Sequence, residues 1–384
     1  GTFAGNETAQ GNADGNGYGN FYYSPPSGYL ALCTQNLATA LSPTIDDGSQ
    51  YFNTKLYSGN STTNPITGVG FAPDFTWLKA RNYANAHFLL DTTRGSGQVL
   101  FSSSTSAETD FQGTRWQSFD SDGFTLTGSD SSTNISGGNY VTWNWKANGG
   151  TTSSNTDGSI TSTVQANTTA GFSIVTYTGT GSAGTVGHGL GSTVAMVITK
   201  SRDSASSWQI YHKDLGKDKT MQLEQTASTS TITNYWGTST PNSTVFGVIG
   251  GGYNNNLSGQ ATIAYCFAEI EGYSKFGSYT GNGSTDGTFV YTGFRPAWVL
   301  AKRYDSTGNW VMHDNKRNGF NVDNDMLIAN LSNAESDVVN LDLLSNGFKW
   351  RNSSTGNQSG ANWIYMAFAE SPFVSSSGVP VVAR

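Results

Sequence analysis

The stretch Gly70-Phe71-Ala72-Pro73-Asp74-Phe75-Thr76-Trp77-Leu78-Lys79 decides the fold, because it returns as Gly293-Phe294-Arg295-Pro296-Ala297-Trp298-Val299-Leu300-Ala301-Lys302. Each copy is Gly-Phe, any residue, Pro, then an apolar run closed by Lys. A weaker copy, Val194-Ala195-Met196-Val197-Ile198-Thr199-Lys200, lies between them. Three copies of one strand imply three copies of one module. In the first copy Phe75 and Trp77 share a face with Lys79 at its end, which predicts a strand buried on one side.

The flanks keep step. Tyr57-Ser58-Gly59, Tyr177-Thr178-Gly179 and Tyr279-Thr280-Gly281 precede the strand, and Trp145, Phe267 and Phe368 close the modules after intervals of 88, 90 and 89 residues. Twelve residues beyond each Lys stand Asp91, His212 and Asp314. The second module departs most: it has no Pro before its strand, and Gly189-Leu190 is set two residues further back.

Bulk properties agree with an all-β chain. Of 384 residues only 12% are charged and another 12% are aromatic, with 47 Gly. Many short strands joined by Gly- and Asn-rich turns give such a composition. A net charge of −7 leaves no basic footprint for nucleic acid. No apolar run approaches the ~18 residues of a membrane helix, and no secretion leader is read at the start. Cys33 and Cys266 are expected to be buried and unpaired, since a stapled scaffold uses more cysteines.

Taken in order, residues 1–50 hold two short strands around Pro25-Pro26-Ser27-Gly28, too little for a core of their own. Module 1 spans 51–145. Its strands are predicted at 52–57, 74–81, 87–91, 98–101, 116–119, 124–127 and 140–145, a small antiparallel sandwich. Residues 146–171 are low in complexity. They form either a linker or a bridging strand at 159–164, where Ile160, Ser162 and Val164 keep period two. Module 2 spans 172–271, module 3 spans 275–371, and 372–384 is a tail. The fold class is therefore three tandem antiparallel β-sandwich modules preceded by the C-terminal strands of another sandwich.

Two resemblances add to this reading. Phe3-Ala4-Gly5-Asn6-Glu7-Thr8-Ala9-Gln10-Gly11-Asn12-Ala13-Asp14-Gly15-Asn16-Gly17, with Ser27-Gly28-Tyr29-Leu30-Ala31-Leu32-Cys33, resembles the end of a SPRY-like sandwich found in long virion proteins of tailed phages, marine ones especially. Phe172-Ser173-Ile174-Val175-Thr176-Tyr177-Thr178-Gly179, Val186-Gly187-His188-Gly189-Leu190-Gly191 and Ala367-Phe368-Ala369-Glu370-Ser371-Pro372-Phe373 resemble phrases of a repeated phage domain, and that likeness covers nearly all of the chain past residue 50. The resemblance implies a virion protein and brings no site residues with it.

Candidate chemistry is sparse. Glu269 and Glu370 sit at matching module ends, but neither is paired in sequence with a second acid, as a glycosidase requires. Asp91, His212 and Asp314 offer one ligand per module, and His87, His188, His212 and His313 show no ligand spacing. Asp110, Asp120, Asp122 and Asp130 are dense enough to consider for calcium without forming a regular loop. Gly250-Gly251-Gly252 lacks the Lys of a phosphate loop and reads as a turn. The Asn-x-Ser/Thr triplets at Asn60, Asn167, Asn242 and Asn330 are expected from composition. Trp208, Trp310, Tyr235, Trp236, Tyr253, Trp350 and Trp363 are either core or sugar-stacking rings. No catalytic, metal or cofactor residue is assigned, no cofactor is expected, and the ligand-binding residues are unknown.

The expected function is a non-enzymatic structural virion protein of a tailed phage, a fibre, spike or surface projection that contacts the host. The alternative is a carbohydrate-binding module array, and the third reading a polysaccharide depolymerase. Expected partners are other virion proteins, a host-surface glycan and further copies of the chain, a trimer before other states. The expected location is the virion surface.

Overall fold

A computed structural model describes residues 9–31, 45, 47–318, 321–369, 373–374 and 380–381. Cys33, Glu370, residues 1–8 and 32–44 of the N-terminal fragment, and most of the tail lie outside them. The described chain is all-β, with antiparallel sheets throughout.

Module 1 contains β1 (Phe52–Ser58), β2 (Asn64–Thr67), β3 (Phe75–Ala80), β4 (Phe88–Asp91), β5 (Gln98–Phe101), β6 (Thr109–Asp110), β7 (Trp116–Asp120), β8 (Gly123–Leu126) and β9 (Asn139–Trp145). The main sheet has the order β1-β9-β3-β4-β5-β6, and the small sheet the order β2-β8-β7. Residues 146–171 give β10 (Ser153–Asn155) and β11 (Ser162–Asn167). Module 2 follows with β12 (Phe172–Thr178), β13 (Gly184–Gly187), β14 (Val194–Ser201), β15 (Gln209–His212), β16 (Lys219–Thr220), β17 (Ser230–Thr231), β18 (Val245–Val248) and β19 (Ala261–Ala268). Its main sheet runs β10-β11-β12-β19-β14-β15. Thus β11 pairs within module 2, Val164 facing Val175, and not with another module. Module 3 has β20 (Ser274–Thr280), β21 (Phe289–Tyr291), β22 (Pro296–Arg303), β23 (Trp310–Asp314), β24 (Asp323–Ile328), β25 (Ser336–Leu344), β26 (Gly347–Trp350) and β27 (Asn362–Ala369), joined as one eight-stranded sheet. In the tail, Phe373–Val374 pairs with Pro380–Val381.

The three signature strands occupy the same place. β3, β14 and β22 each lie beside the closing strand of their own module, and Lys79, Lys200 and Lys302 pair with Val141, Ile263 and Ile364. The expectation of one buried face is corrected: all six residues of β3 are buried. Phe75 and Trp77 face a core shared by all three modules. Leu78 and Ala80 face the sandwich core of module 1 alone. A main sheet covered on both faces must be apolar on both.

That shared core closes the modules into a ring. Trp145, Phe267 and Phe368, one from each module, meet with ring centroids 6.5, 5.7 and 6.1 Å apart. The segment entering module 1 crosses the same end of the core, with Ile45 buried in it. A Cβ at Gly48 would lie 3.3 Å from the carbonyl of Ala369, so the chain enters module 1 beside the strand leaving module 3.

The recurring Tyr-x-Gly has a mechanical cause. The hydroxyls of Tyr57, Tyr177 and Tyr279 donate to the carbonyls of Thr133, Asn255 and Gly356 at 2.7, 2.5 and 2.9 Å. The next residue is Asn134, Asn256 or Asn357, whose buried amide holds two loop carbonyls. At Gly59, Gly179 and Gly281 a Cβ would sit 2.2, 2.2 and 2.4 Å from a backbone carbonyl of that loop, so only glycine fits.

Candidate functional site

The repeated polar residues converge on the seams between modules. At eight residues beyond the signature Lys stand His87, Trp208 and Trp310. Trp77 donates its indole N–H to His87 Nδ1 at 2.9 Å, leaving Nε2–H to donate to the Ile328 carbonyl of module 3 at 3.1 Å. Trp208 donates to the Phe101 carbonyl of module 1, and Trp310 to the Gln222 carbonyl of module 2. Each module therefore donates to the preceding one, and module 1 donates to module 3.

Asp91, His212 and Asp314 sit on the same three seams, and the direction of donation reverses at His212. Tyr265 of module 2 donates to Asp91 at 2.8 Å, and Trp143 of module 1 donates to Asp314 at 2.9 Å. The corresponding side chain in module 3 is Met366, which has no proton to give. There His212 replaces the carboxylate and donates from Nε2 to the Tyr365 carbonyl at 3.2 Å. Charge follows the same rule. Asp91 pairs with buried Arg94, Arg94 with Glu108, and Glu108 with Arg202 of module 2. Asp314 pairs with buried Arg317, Arg317 with Glu335, and Glu335 with Arg81 of module 1. The seam between modules 2 and 3 places Leu215, Thr229 and Tyr304 at these positions, joined through the Thr229 N–H to the Tyr304 carbonyl at 3.0 Å. Burial acts against the Asp314 charge, yet Arg317 and two backbone N–H groups hold its carboxyl below the usual range.

The signature lysines are fully buried. Each amine donates to the next carbonyl in its strand, those of Ala80, Ser201 and Arg303, at 2.7–2.9 Å. Further oxygens come from Tyr83 for Lys79, from Ser204 and Ser206 for Lys200, and from Thr226 and Ala227 of module 2 for Lys302. Burial lowers all three to about 8.

The other singled-out residues serve local structure. Burial pushes His188 and His212 down to about 4 and His87 well below its usual value. In these three rings both nitrogens face protein partners, the far one of His188 facing Leu190 N and that of His212 facing Asp214 N. His313 is buried with Nδ1 3.4 Å from Asp323. Among the described residues no three His, Cys, Asp or Glu side chains converge for a metal. Asp122 binds the N–H groups of Gly68 and Gly70, Asp120 the hydroxyls of Ser118 and Thr125, Asp110 the N–H of Gln112, and Asp130 pairs with Arg115. Glu269 pairs with Lys275 and Lys213. Cys266 is a free, buried thiol whose pKa burial pushes up. Gly251 and Gly252 take φ of 89° and 82°, as a turn requires.

Of the candidate stacking rings, Trp208, Tyr235, Trp236, Trp310, Trp350 and Trp363 are buried, while Tyr253 is 40% exposed. Tyr253 packs edge-on against Tyr235, centroids 5.6 Å apart. Close by, module 2 carries an open cleft of about 500 Å³, lined by Thr185, Asn234, Ser239, Thr240, Asn242 and Gly247 among others.

The fold and its seams define an all-β protein of three homologous sandwich modules closed around one internal core. The chain belongs to the family described as Domain of unknown function (DUF7483), whose match spans residues 47–372. That span covers the three modules and the strands between the first two. No curated protein and no solved structure matches the chain.

Proposed function

We propose that the chain is a non-enzymatic structural virion protein of a tailed phage, part of a fibre, spike or surface projection that contacts the host. The observation that carries the reading is the resemblance of the first forty residues and of the module phrases to virion proteins of such phages. The ring architecture supports it. Three modules share one core, and the segment entering the ring lies beside the strand leaving it, so connections run from one end while loops at the other stay free to vary. The low charge and uncharged polar turns suit a particle exposed outside a cell. The chain's partners in this reading are other virion proteins and a surface glycan, and its own assembly is a homotrimer.

Antibody raised against the chain tests this on purified particles from the host that carries the gene. Gold label on tails or capsid surfaces is the expected result. A chain confined to the soluble lysate and absent from particles by mass spectrometry would reject the reading.

A further inference from the structure

The three modules serve as controls for one another, and one difference among them opens a site. In module 1 the small sheet has three strands, β2-β8-β7, and in module 3 β21 and β26 continue into β25. In module 2 it has two, β13 and β18. The missing strand corresponds to β7. Buried Trp116 starts β7 eight residues before buried Phe124, whereas Trp236 stands ten residues before Phe246. The intervening segment is Gly237-Thr238-Ser239-Thr240-Pro241-Asn242-Ser243-Thr244-Val245, two residues longer. Proline has no N–H for a ladder and glycine weakens a strand, so the segment leaves the sheet. Gly237 still touches β18: a Cβ at Gly247 would lie 2.4 Å from Gly237 Cα. Beyond that contact Asn242 turns the loop back, its side chain accepting from the N–H groups of Thr244 and Val245. The cleft of about 500 Å³ lies between this loop and the outer face of the β13–β18 ribbon.

Its chemistry is specific. Among the described residues no charged side chain lines it; hydroxyls, amides and glycine backbone share its wall with apolar surface from Ala183, Pro241, Val245, Val248 and Ile249. A charged ligand would lose its hydration with no counter-charge to replace it. A purely apolar one would strand the hydroxyls. A neutral saccharide offers both a dense array of hydroxyls and apolar C–H faces, and the volume lies within the range of small-ligand sites. The one exposed ring among the candidate aromatics, Tyr253, stands on the loop that leaves the cleft's lining residue Ile249. Tyr253 packs on Tyr235, whose neighbour Asn234 lines it, and the Gly251 N–H ties the Tyr253 loop to Gly181, two residues from the lining residue Ala183. Three consecutive glycines, Gly250-Gly251-Gly252, precede the ring and carry no side chains to cover it.

We propose that this cleft in module 2 binds a neutral saccharide of one to three units, with Tyr253 stacking on a sugar face at its end. The inference gives a chemical class to the surface glycan of the attachment reading but rests on the cleft, and it is tested on the isolated full chain. Failure here would leave the virion reading standing, and absence from particles would leave the cleft's binding standing.

The test is a titration by NMR with maltotriose, cellotriose, laminaritriose and chitotriose, beside sialyllactose and a sulfated disaccharide. At least one neutral trisaccharide is expected to bind in the ~0.1–1 mM range. Tyr253→Ala should weaken it about tenfold. Ser239→Arg, an exposed substitution that fills the cleft, should abolish it while leaving the melting temperature unchanged. No binding of any neutral probe, a preference for the anionic sugars, or affinity unaffected by both substitutions would each overturn the proposal.

Discussion

Phe368→Ala removes a ring that belongs to the whole molecule. Phe368 is buried, and it packs against Phe52 and Trp145 of module 1 at 5.1 and 5.7 Å, Phe267 of module 2 at 6.1 Å, and Trp298 and Phe276 of module 3 at 6.1 and 6.3 Å. Deleting a core phenyl costs about 3–5 kcal/mol through lost transfer energy and the cavity left behind. Its aromatic pairs, each worth ~0.5–1.5 kcal/mol beyond area burial, push the cost toward the top of that range. Those neighbours come from three modules held by three seams, so collapse is restricted and the upper part of that range is expected. The assay is urea unfolding followed by hydrogen exchange of strands in each module. Amides of β9, β19 and β27 should lose protection together. A cost below ~1 kcal/mol, or a loss confined to module 3, would refute the shared core.

Three further outcomes follow from the seams and the buried amines. Lys79, Lys200 and Lys302 have folded values of about 8, below the unfolded ~10.4, so the folded state binds fewer protons between those values. Their cost is present below pH 8 and is relieved as pH rises. Urea unfolding at pH 7.5 and 9.5 should therefore show higher stability at the upper pH, by up to ~1–2 kcal/mol per lysine, and Lys200→Met should remove about a third of the rise; an unchanged slope would contradict this. Glu108→Gln should cost about 1–3 kcal/mol because buried Arg94 keeps Asp91 but loses its second anion, whereas Thr229→Ala at the uncharged seam should cost under ~1 kcal/mol; equal costs in chemical denaturation would argue against the relay. Light scattering of the full chain is expected to return a trimer mass, and a single-chain mass would confine threefold organisation to the internal repeat.

The repeat was legible because strand length and turn spacing are local. The apolar positions of Phe75 and Trp77 recur as Met196 and Ile198 and as Trp298 and Leu300, each run closed by Lys and preceded by Tyr-x-Gly, and the predicted strand at 98–101 is found with those bounds. The second buried face of β3 was not legible, since Leu78 and Ala80 could not be assigned to a face by alternation when both faces are apolar. The seams were hidden for another reason. Asp91 is explained by Tyr265 and Asp314 by Trp143, partners more than 170 residues away. A local trace existed: Asp-x-x-Arg occurs at Asp91/Arg94 and Asp314/Arg317, and module 2 has His212/Leu215. Likewise Gly237 and Pro241 fall where module 1 has a strand, which marks the place of the cleft.

Scanning calorimetry of the intact chain tests the one-core ring most directly. A single transition is expected, its calorimetric and van't Hoff enthalpies equal and near ~200 kcal/mol for the modules together. Three resolved transitions of ~60–80 kcal/mol each, the enthalpy of independent ~100-residue domains, would contradict it.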